Sequence, residues 1–164
     1  MAKIELARVD FRLIHGQIIT RWRKVININK IVVIDDILAA DEFMTKVYAS
    51  AAPSDITVKV STEEKALRLW NKNQYGTAAV MILFKDIATC SRMIKEGLPL
   101  TEVQLGGVPH TEEKKLIMKA VSLNNGEMNL IKELYEDYEV NFTIQVVPEN
   151  AKMEYAEIVK IFNK

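Results

Sequence analysis

The sequence predicts an α/β fold: a single domain with an open, mostly parallel sheet of about six or seven strands and helices on both faces. Two observations predict it. Short apolar segments alternate with helical patterns from one end of the chain to the other, as in parallel sheets that are covered by helices. In addition, a length of 164 residues suits one compact core, and no repeat or linker interrupts the pattern. We therefore expect one domain over residues 1–164.

The first half of the chain supplies three predicted strands and three predicted helices. Residues 4–10 form the first strand, residues 16–25 carry apolar side chains at helical spacing, and residues 30–34 are rich in β-branched residues that favour a strand. Residues 39–51 form a helix that Pro53 stops, and residues 56–60 form the third strand. The tetrapeptide Ser-Thr-Glu-Glu that begins at Ser61 matches a capping box, so we expect Ser61 to cap a helix that runs to about residue 73.

The second half continues the alternation. Residues 78–84 form a buried strand, and residues 86–96 form a helix that ends at Gly97 as a left-handed cap. Residues 102–105 form a short strand that stops at Gly106 and Gly107, where the backbone can turn sharply or approach a bound group closely. Residues 116–123 fit a strand, which we favour, or the end of a helix at 114–118. A helix at 125–138, a strand at 140–147 and a helix at 154–162 complete the prediction.

The composition excludes several classes of protein. Lys and Arg total 22, as do Asp and Glu, so no overall basic field exists to attract nucleic acid or an anionic membrane. The longest apolar run, residues 78–84, is far shorter than the roughly 20 residues that span a bilayer. Charged residues also interrupt the apolar N-terminus, which argues against a signal peptide. The single cysteine, Cys90, cannot form an internal disulfide, and we interpret it as a small packing residue of a cytoplasmic protein.

The strongest candidate for chemistry is the segment after the first strand. Ligands of open α/β sheets bind beyond the carboxyl ends of the strands, and His15 lies in the loop that follows residues 4–10. Arg8 and Arg12 precede it, and Gly16 begins a helix whose free amides can bind an anion. A neutral imidazole can attack phosphorus, while fixed positive charge stabilises the transferring group. Asp10 would orient an arginine or the ring, because a carboxylate facing the phosphate would repel it.

These residues also have a plainer interpretation. Arg8 and Asp10 could form a surface ion pair, and His15 could be a polar turn residue. From spacing alone, both interpretations stay open.

The order of residues around His15 resembles the active-site motif of a known family. The matching residues are Arg8, Asp10, Arg12, Leu13, Ile14, His15, Gly16 and Gln17. This motif is similar to that of the IIB subunits of the bacterial sugar phosphotransferase system, in the mannose/fructose/sorbose family with its N-acetylgalactosamine-type members. The similarity extends to residues 32–36, 51–53, 104–107 and 119–122, and so covers nearly the whole chain.

The resemblance implies a function. The matching histidine of that family is phosphorylated by a phosphohistidine of the IIA protein and then donates the phosphoryl group to a sugar that the membrane subunits IIC and IID carry. It implies that His15 is the phosphohistidine, that Arg8 and Arg12 are catalytic, and that no metal or other cofactor takes part. Gln17, Gly106 and Gly107 join Asp10 and Gly16 as expected binding or orienting residues. Association with the membrane would occur only through IIC and IID.

Two positions depart from the family pattern. Phe11 stands where many relatives carry a second aspartate, and Val108, Pro109 and His110 follow the glycine pair where methionine is frequent. Phe11 could contact a partner or simply fill space, and His110 could approach the site, although no spacing requires it.

Other candidates are weaker. Asp35 and Asp36 could bind a metal, but adjacent carboxylates also mark the start of a helix, which we favour. A phosphorylated receiver needs an aspartate at the end of the third strand, whereas this strand leads into Ser61, and no glycine-rich nucleotide motif is present. A sugar sensor that is not phosphorylated remains as the competing function.

Overall fold

The computed structural model describes residues 1–164 and contains a six-stranded sheet in which every strand is parallel to its neighbours. The strands are β1 Lys3–Asp10, β2 Lys30–Ile34, β3 Thr57–Ser61, β4 Ala79–Phe84, β5 Glu102–Gly107 and β8 Asn141–Ile144. Their order is β3-β2-β4-β1-β5-β8, which places β1 between β4 and β5 in the interior of the sheet. The predicted α/β class and open parallel sheet are confirmed.

Helices cover both faces of the sheet, as predicted. They are a π-helical turn Ile18–Trp22 that continues as α1 Arg23–Val25, then α2 Asp36–Ala39, α3 Glu42–Ser50, α4 Glu63–Asn73, α5 Ile87–Lys95, α6 Asn125–Asp137 and α7 Tyr155–Phe162. The larger hydrophobic cluster lies under α4, α5, α6 and α7. A smaller cluster, which includes Ile18, Trp22 and Leu38, lies on the opposite face under the π-helical turn and α2.

A hairpin outside the main sheet replaces the single strand expected at residues 116–123. It consists of β6 Lys115–Met118 and β7 Val121–Leu123, which pair antiparallel. Ala120 adopts a φ of 75° in the turn between them. The alternating pattern therefore indicated extended backbone correctly but could not reveal the turn.

Local hydrogen bonds explain the other differences. The capping residue of α4 is Thr62, whose side chain accepts from the Lys65 amide at 3.1 Å, so the prediction of a Ser61 cap was wrong by one residue. Ser61 ends β3 and is buried. The helix expected at 39–51 begins at Glu42 instead, because Asp41 caps the start of α3, and the separate short helix α2 precedes it. β8 also ends three residues before the predicted limit of 147, at Ile144.

The glycine pair after residue 105 does not stop the strand. β5 continues through Gly107, and its register with β1 shifts between Val9 and Asp10. A Cβ atom at Gly106 would lie 1.9 Å from Arg8 Cζ, and one at Gly107 would lie 2.6 Å from Asp10 Oδ1. The expected end of the strand at the glycine pair was therefore wrong, and of the two alternatives left open there, the sharp turn does not occur. The close approach is to side chains of this chain itself.

We expect Gly106→Ala to lower the free energy of unfolding by about 1–3 kcal/mol, because its methyl group would overlap the buried Arg8 guanidinium. Gly126→Ala is the matched control: it lies at an exposed position of α6, where the added Cβ meets nothing closer than 3.4 Å. That variant should be unchanged or stabilised by up to about 1 kcal/mol. Urea unfolding measures both, and equal effects of the two substitutions would contradict the packing described for Gly106.

Candidate functional site

A tight turn carries the chain from the carboxyl end of β1 to His15. The amide of Leu13 donates to the carbonyl of Asp10 at 2.9 Å, so Phe11 and Arg12 occupy the turn. Leu13 has a φ of 57°, which is uncommon for a residue other than glycine, and its side chain is buried. Burial of Leu13 and Ile14 in the smaller core cluster anchors the loop directly after the turn.

Asp10 is the centre of the site. Its carboxylate is fully buried, and three side chains approach Oδ2: Arg12 Nη2 at 2.9 Å, His15 Nε2 at 3.1 Å and Arg8 Nη2 at 3.2 Å. Oδ1 accepts from Arg12 Nε at 3.0 Å and from the Arg12 amide at 3.1 Å. One carboxylate thus links the two arginines and the histidine that the sequence singled out.

The protonation of Asp10 determines that of the ring. Burial raises the pKa of Asp10, but the hydrogen bonds from His15 and Arg12 and the charge of Arg8 outweigh it and hold the pKa well below its usual range. An ionised carboxylate can only accept, so His15 Nε2 must carry the hydrogen in this contact. Neutral His15 therefore keeps the lone pair on Nδ1, which no protein group hydrogen-bonds.

Arg8 is buried beneath the site and not exposed beside it. Its Nη1 donates to the Gln145 carbonyl at 2.8 Å and also to Gln104 Oε1, and its Nη2 donates to the Val146 carbonyl at 3.0 Å. Burial lowers the pKa of this guanidinium, while Asp10 opposes that effect. The sequence led us to expect that Arg8 faces a phosphoryl group directly. In the structure its Nη1 and Nη2 instead donate to acceptors within the protein. Its contacts instead hold Asp10.

Arg12 combines contact with Asp10 and exposure to solvent. About a third of its side chain is exposed, at 32%. Nε and Nη2 bind both oxygens of Asp10, which fixes the plane of the guanidinium. Nη1 has no acceptor among the hydrogen bonds of the protein. Arg12 can therefore offer a positive charge and a free donor to a ligand.

His15 lies directly before the helical residues Gly16 and Gln17, which lead into the π-helical turn, so its predicted place between strand and helix is confirmed. Its side chain retains 15% exposure, and its carbonyl accepts from the amides of Ile18 and Ile19 at 3.1 and 3.3 Å. The amides of Gly16 and Gln17 have no acceptor in the protein, so they are free for an anion at the start of the helix. A Cβ at Gly16 would meet no atom within 4 Å, which leaves this side of the loop open.

The structure also identifies residues that the sequence did not select as supports of the site. The Arg8 guanidinium lies 5.3 Å from the ring centroid of Trp22, whose Nε1 donates to the Val146 carbonyl at 3.1 Å. Helical spacing marked Trp22 only as a packing residue. Gln104 lies within the 104–107 segment of family resemblance, and this was the only signal for it. The carbonyls of Gln145 and Val146 could not be found from residue types.

Other candidates lie elsewhere. Asp35 caps α2 by accepting from the Leu38 amide at 2.8 Å, as the helix-start interpretation predicts, and Asp36 accepts from the Glu63 amide. Cys90 is fully buried, and burial raises the pKa of its thiol. No group of three or more His, Cys, Asp or Glu side chains is arranged to hold a metal ion. Nor does any helix have the length and apolar character needed to cross a membrane.

Comparison with known proteins gives a consistent result. The chain is 30% identical over 164 residues to the fructose-specific EIIB component of Bacillus subtilis, with both chains fully covered. It is also 30% identical over 161 residues to the mannose-specific EIIAB component of Escherichia coli K12. That alignment covers 98% of this chain, which spans only 50% of the length of the relative.

The crystal structure of manxB from Thermoanaerobacter tengcongensis has a TM-score of 0.90 to this structure and 42% sequence identity, over 98% of this chain and 96% of the other. The family model described as the PTS system sorbose subfamily IIB component matches residues 4–164. The chain therefore belongs to the sorbose-subfamily IIB components of the sugar phosphotransferase system.

Proposed function

We propose that this protein is a phosphocarrier that accepts a phosphoryl group on His15 from phospho-IIA and passes it to a sugar taken up through the membrane subunits IIC and IID. The observation that carries the proposal is the contact of His15 Nε2 with ionised Asp10, which leaves Nδ1 as the nucleophile. The reaction class is phosphoryl transfer between histidines and then to a sugar hydroxyl. We further propose that residues 1–164 form one such IIB domain in the cytoplasm.

The first transfer balances without a metal or an additional base. Nδ1 of His15 forms a bond to phosphorus as the bond between phosphorus and the donor histidine breaks. The His15 ring gains positive charge because Nε2 keeps its proton, and the Asp10 carboxylate at 3.1 Å stabilises that charge. In the second transfer, the sugar hydroxyl oxygen attacks phosphorus, the electrons of the N–P bond return to Nδ1, and the hydroxyl proton is released to water.

The surrounding donors support the phosphoryl group. Arg12 supplies a positive charge held in place by two hydrogen bonds to Asp10, and its free Nη1 can bind a phosphoryl oxygen. The free amides of Gly16 and Gln17 add donors that carry no titrating proton. Arg8 acts at one remove as a positioning residue, because it holds Asp10 from within the protein.

We expect His15→Ala to abolish phosphorylation, since Nδ1 of His15 is the proposed acceptor. The test incubates the protein with the general phosphotransferase components, phosphoenolpyruvate and a cognate IIA, then measures label that is lost in acid and stable in alkali. Peptide mapping by mass spectrometry should place the label on His15, one of only two histidines in the chain. Equal labelling of His15→Ala and wild type would overturn the proposal.

We expect Arg12→Ala to slow phosphoryl transfer by about 10²–10³-fold, because it removes charge stabilisation from the transition state. Arg12→Lys should recover only part of the rate, since lysine cannot bind both Asp10 oxygens through a planar group. Arg68→Ala, on an exposed position of α4, is the matched control and should transfer at the wild-type rate. Rapid-quench kinetics measure the rates. A wild-type rate for Arg12→Ala would remove Arg12 from the mechanism.

A further inference from the structure

A cleft lies between the turn that carries Arg12 and the β6–β7 hairpin. Its volume is about 330 Å³, at the lower end of the range for small-molecule sites of about 300–1,000 Å³. The lining residues are Phe11, Arg12, Val108, Pro109, His110, Leu116, Ala120 and Ser122. Because Arg12 also contacts Asp10, the cleft adjoins the proposed phosphorylation site directly.

The polar groups of this cleft favour an anion. Arg12 has a free Nη1, and no Asp or Glu lines the cleft. His110 Nδ1 lies 2.9 Å from the hydroxyl of Ser122, which is buried in the hairpin. This contact fixes the imidazole at one end, while Nε2 has no partner in the protein. Two nitrogen groups without a hydrogen-bond partner in the protein thus belong to residues that line the same cleft.

The remaining walls of the cleft are apolar and suit the carbon skeleton of an organic group attached to that anion. The Phe11 ring is 41% exposed and lies 5.9 Å from Arg12 Cζ, so the ring and the guanidinium form one continuous surface. Leu116 is 58% exposed on β6, on the hairpin side of the cleft. A free phosphate ion would leave these apolar surfaces in contact with water. A phosphate attached to a small ring could cover them.

We propose that this cleft binds a phosphorylated monosaccharide, with the phosphate at Arg12 and His110 and the sugar against Phe11 and Leu116. The inference rests on the proposed function, in which a sugar phosphate is the product formed at Arg12. It assigns a role to two positions that depart from the family pattern, Phe11 and His110. The cleft would hold the product beside His15 before release.

The test uses the full chain as the His15→Ala variant, so that no phosphoryl transfer can occur. Amide ¹H–¹⁵N spectra are recorded during titration with a hexose 6-phosphate, the unphosphorylated hexose, inorganic phosphate and a short glutamate-rich peptide. We expect saturable shifts confined to the cleft residues, with the hexose phosphate at least about fivefold tighter than phosphate alone. Absence of such shifts overturns the proposal, as does tighter binding of the peptide, which would assign the cleft to a partner protein.

His110→Ala in the same background should weaken binding of the hexose phosphate about tenfold, as expected for one hydrogen bond to a charged group. His110→Gln, which keeps a donor, should recover part of the affinity. Glu112→Gln is the control, because Glu112 is exposed nearby and does not line the cleft. Unchanged affinity in His110→Ala contradicts the site. Labelling of His15 by phospho-IIA is measured separately in wild type, so failure of the cleft is distinguishable from failure of the phosphocarrier function.

Discussion

The buried carboxylate of Asp10 is the constraint on which the site depends. A lone charge in this position would be strongly unfavourable, and three donors compensate for it. Such a network adds little net stability compared with well-packed apolar side chains, although loss of one partner from a buried pair typically costs about 3–5 kcal/mol. The network instead orients the side chains of the site. Asp10 holds the Arg12 guanidinium in place and determines which nitrogen of neutral His15 carries the proton.

The fold makes this arrangement possible because β1 lies in the interior of the sheet. Its carboxyl end is flanked by β4 and β5, so the loop after Asp10 emerges where backbone from β5 and the segment after β8 converges. Carbonyls of Gln145 and Val146 accept from Arg8, and glycine at position 106 leaves the volume that its guanidinium fills. The side chain of Arg8, which binds Asp10, is therefore held by residues more than 95 positions away in sequence.

The sequence predicted the strands well because buried parallel strands are short apolar runs, as in residues 30–34 and 78–84. It also placed His15 correctly between strand and helix. It could not reveal the burial of Arg8, because a long cationic side chain is usually exposed and its acceptors here are backbone carbonyls of a distant loop. The sequence also did not reveal that β5 continues through Gly106. Its need for space arises only when β1 and β5 are paired.

The central claim is that Asp10 keeps the proton on Nε2 of His15, so that Nδ1 receives the phosphoryl group. Long-range ¹H–¹⁵N NMR of the ¹⁵N-labelled phosphoprotein measures this most directly, since it distinguishes a phosphorylated ring nitrogen from a protonated one. We expect phosphate on Nδ1 and a proton on Nε2 in wild type, and loss of the preference for the Nε2-protonated form in unphosphorylated Asp10→Asn. Phosphate on Nε2 in the wild-type protein would contradict it.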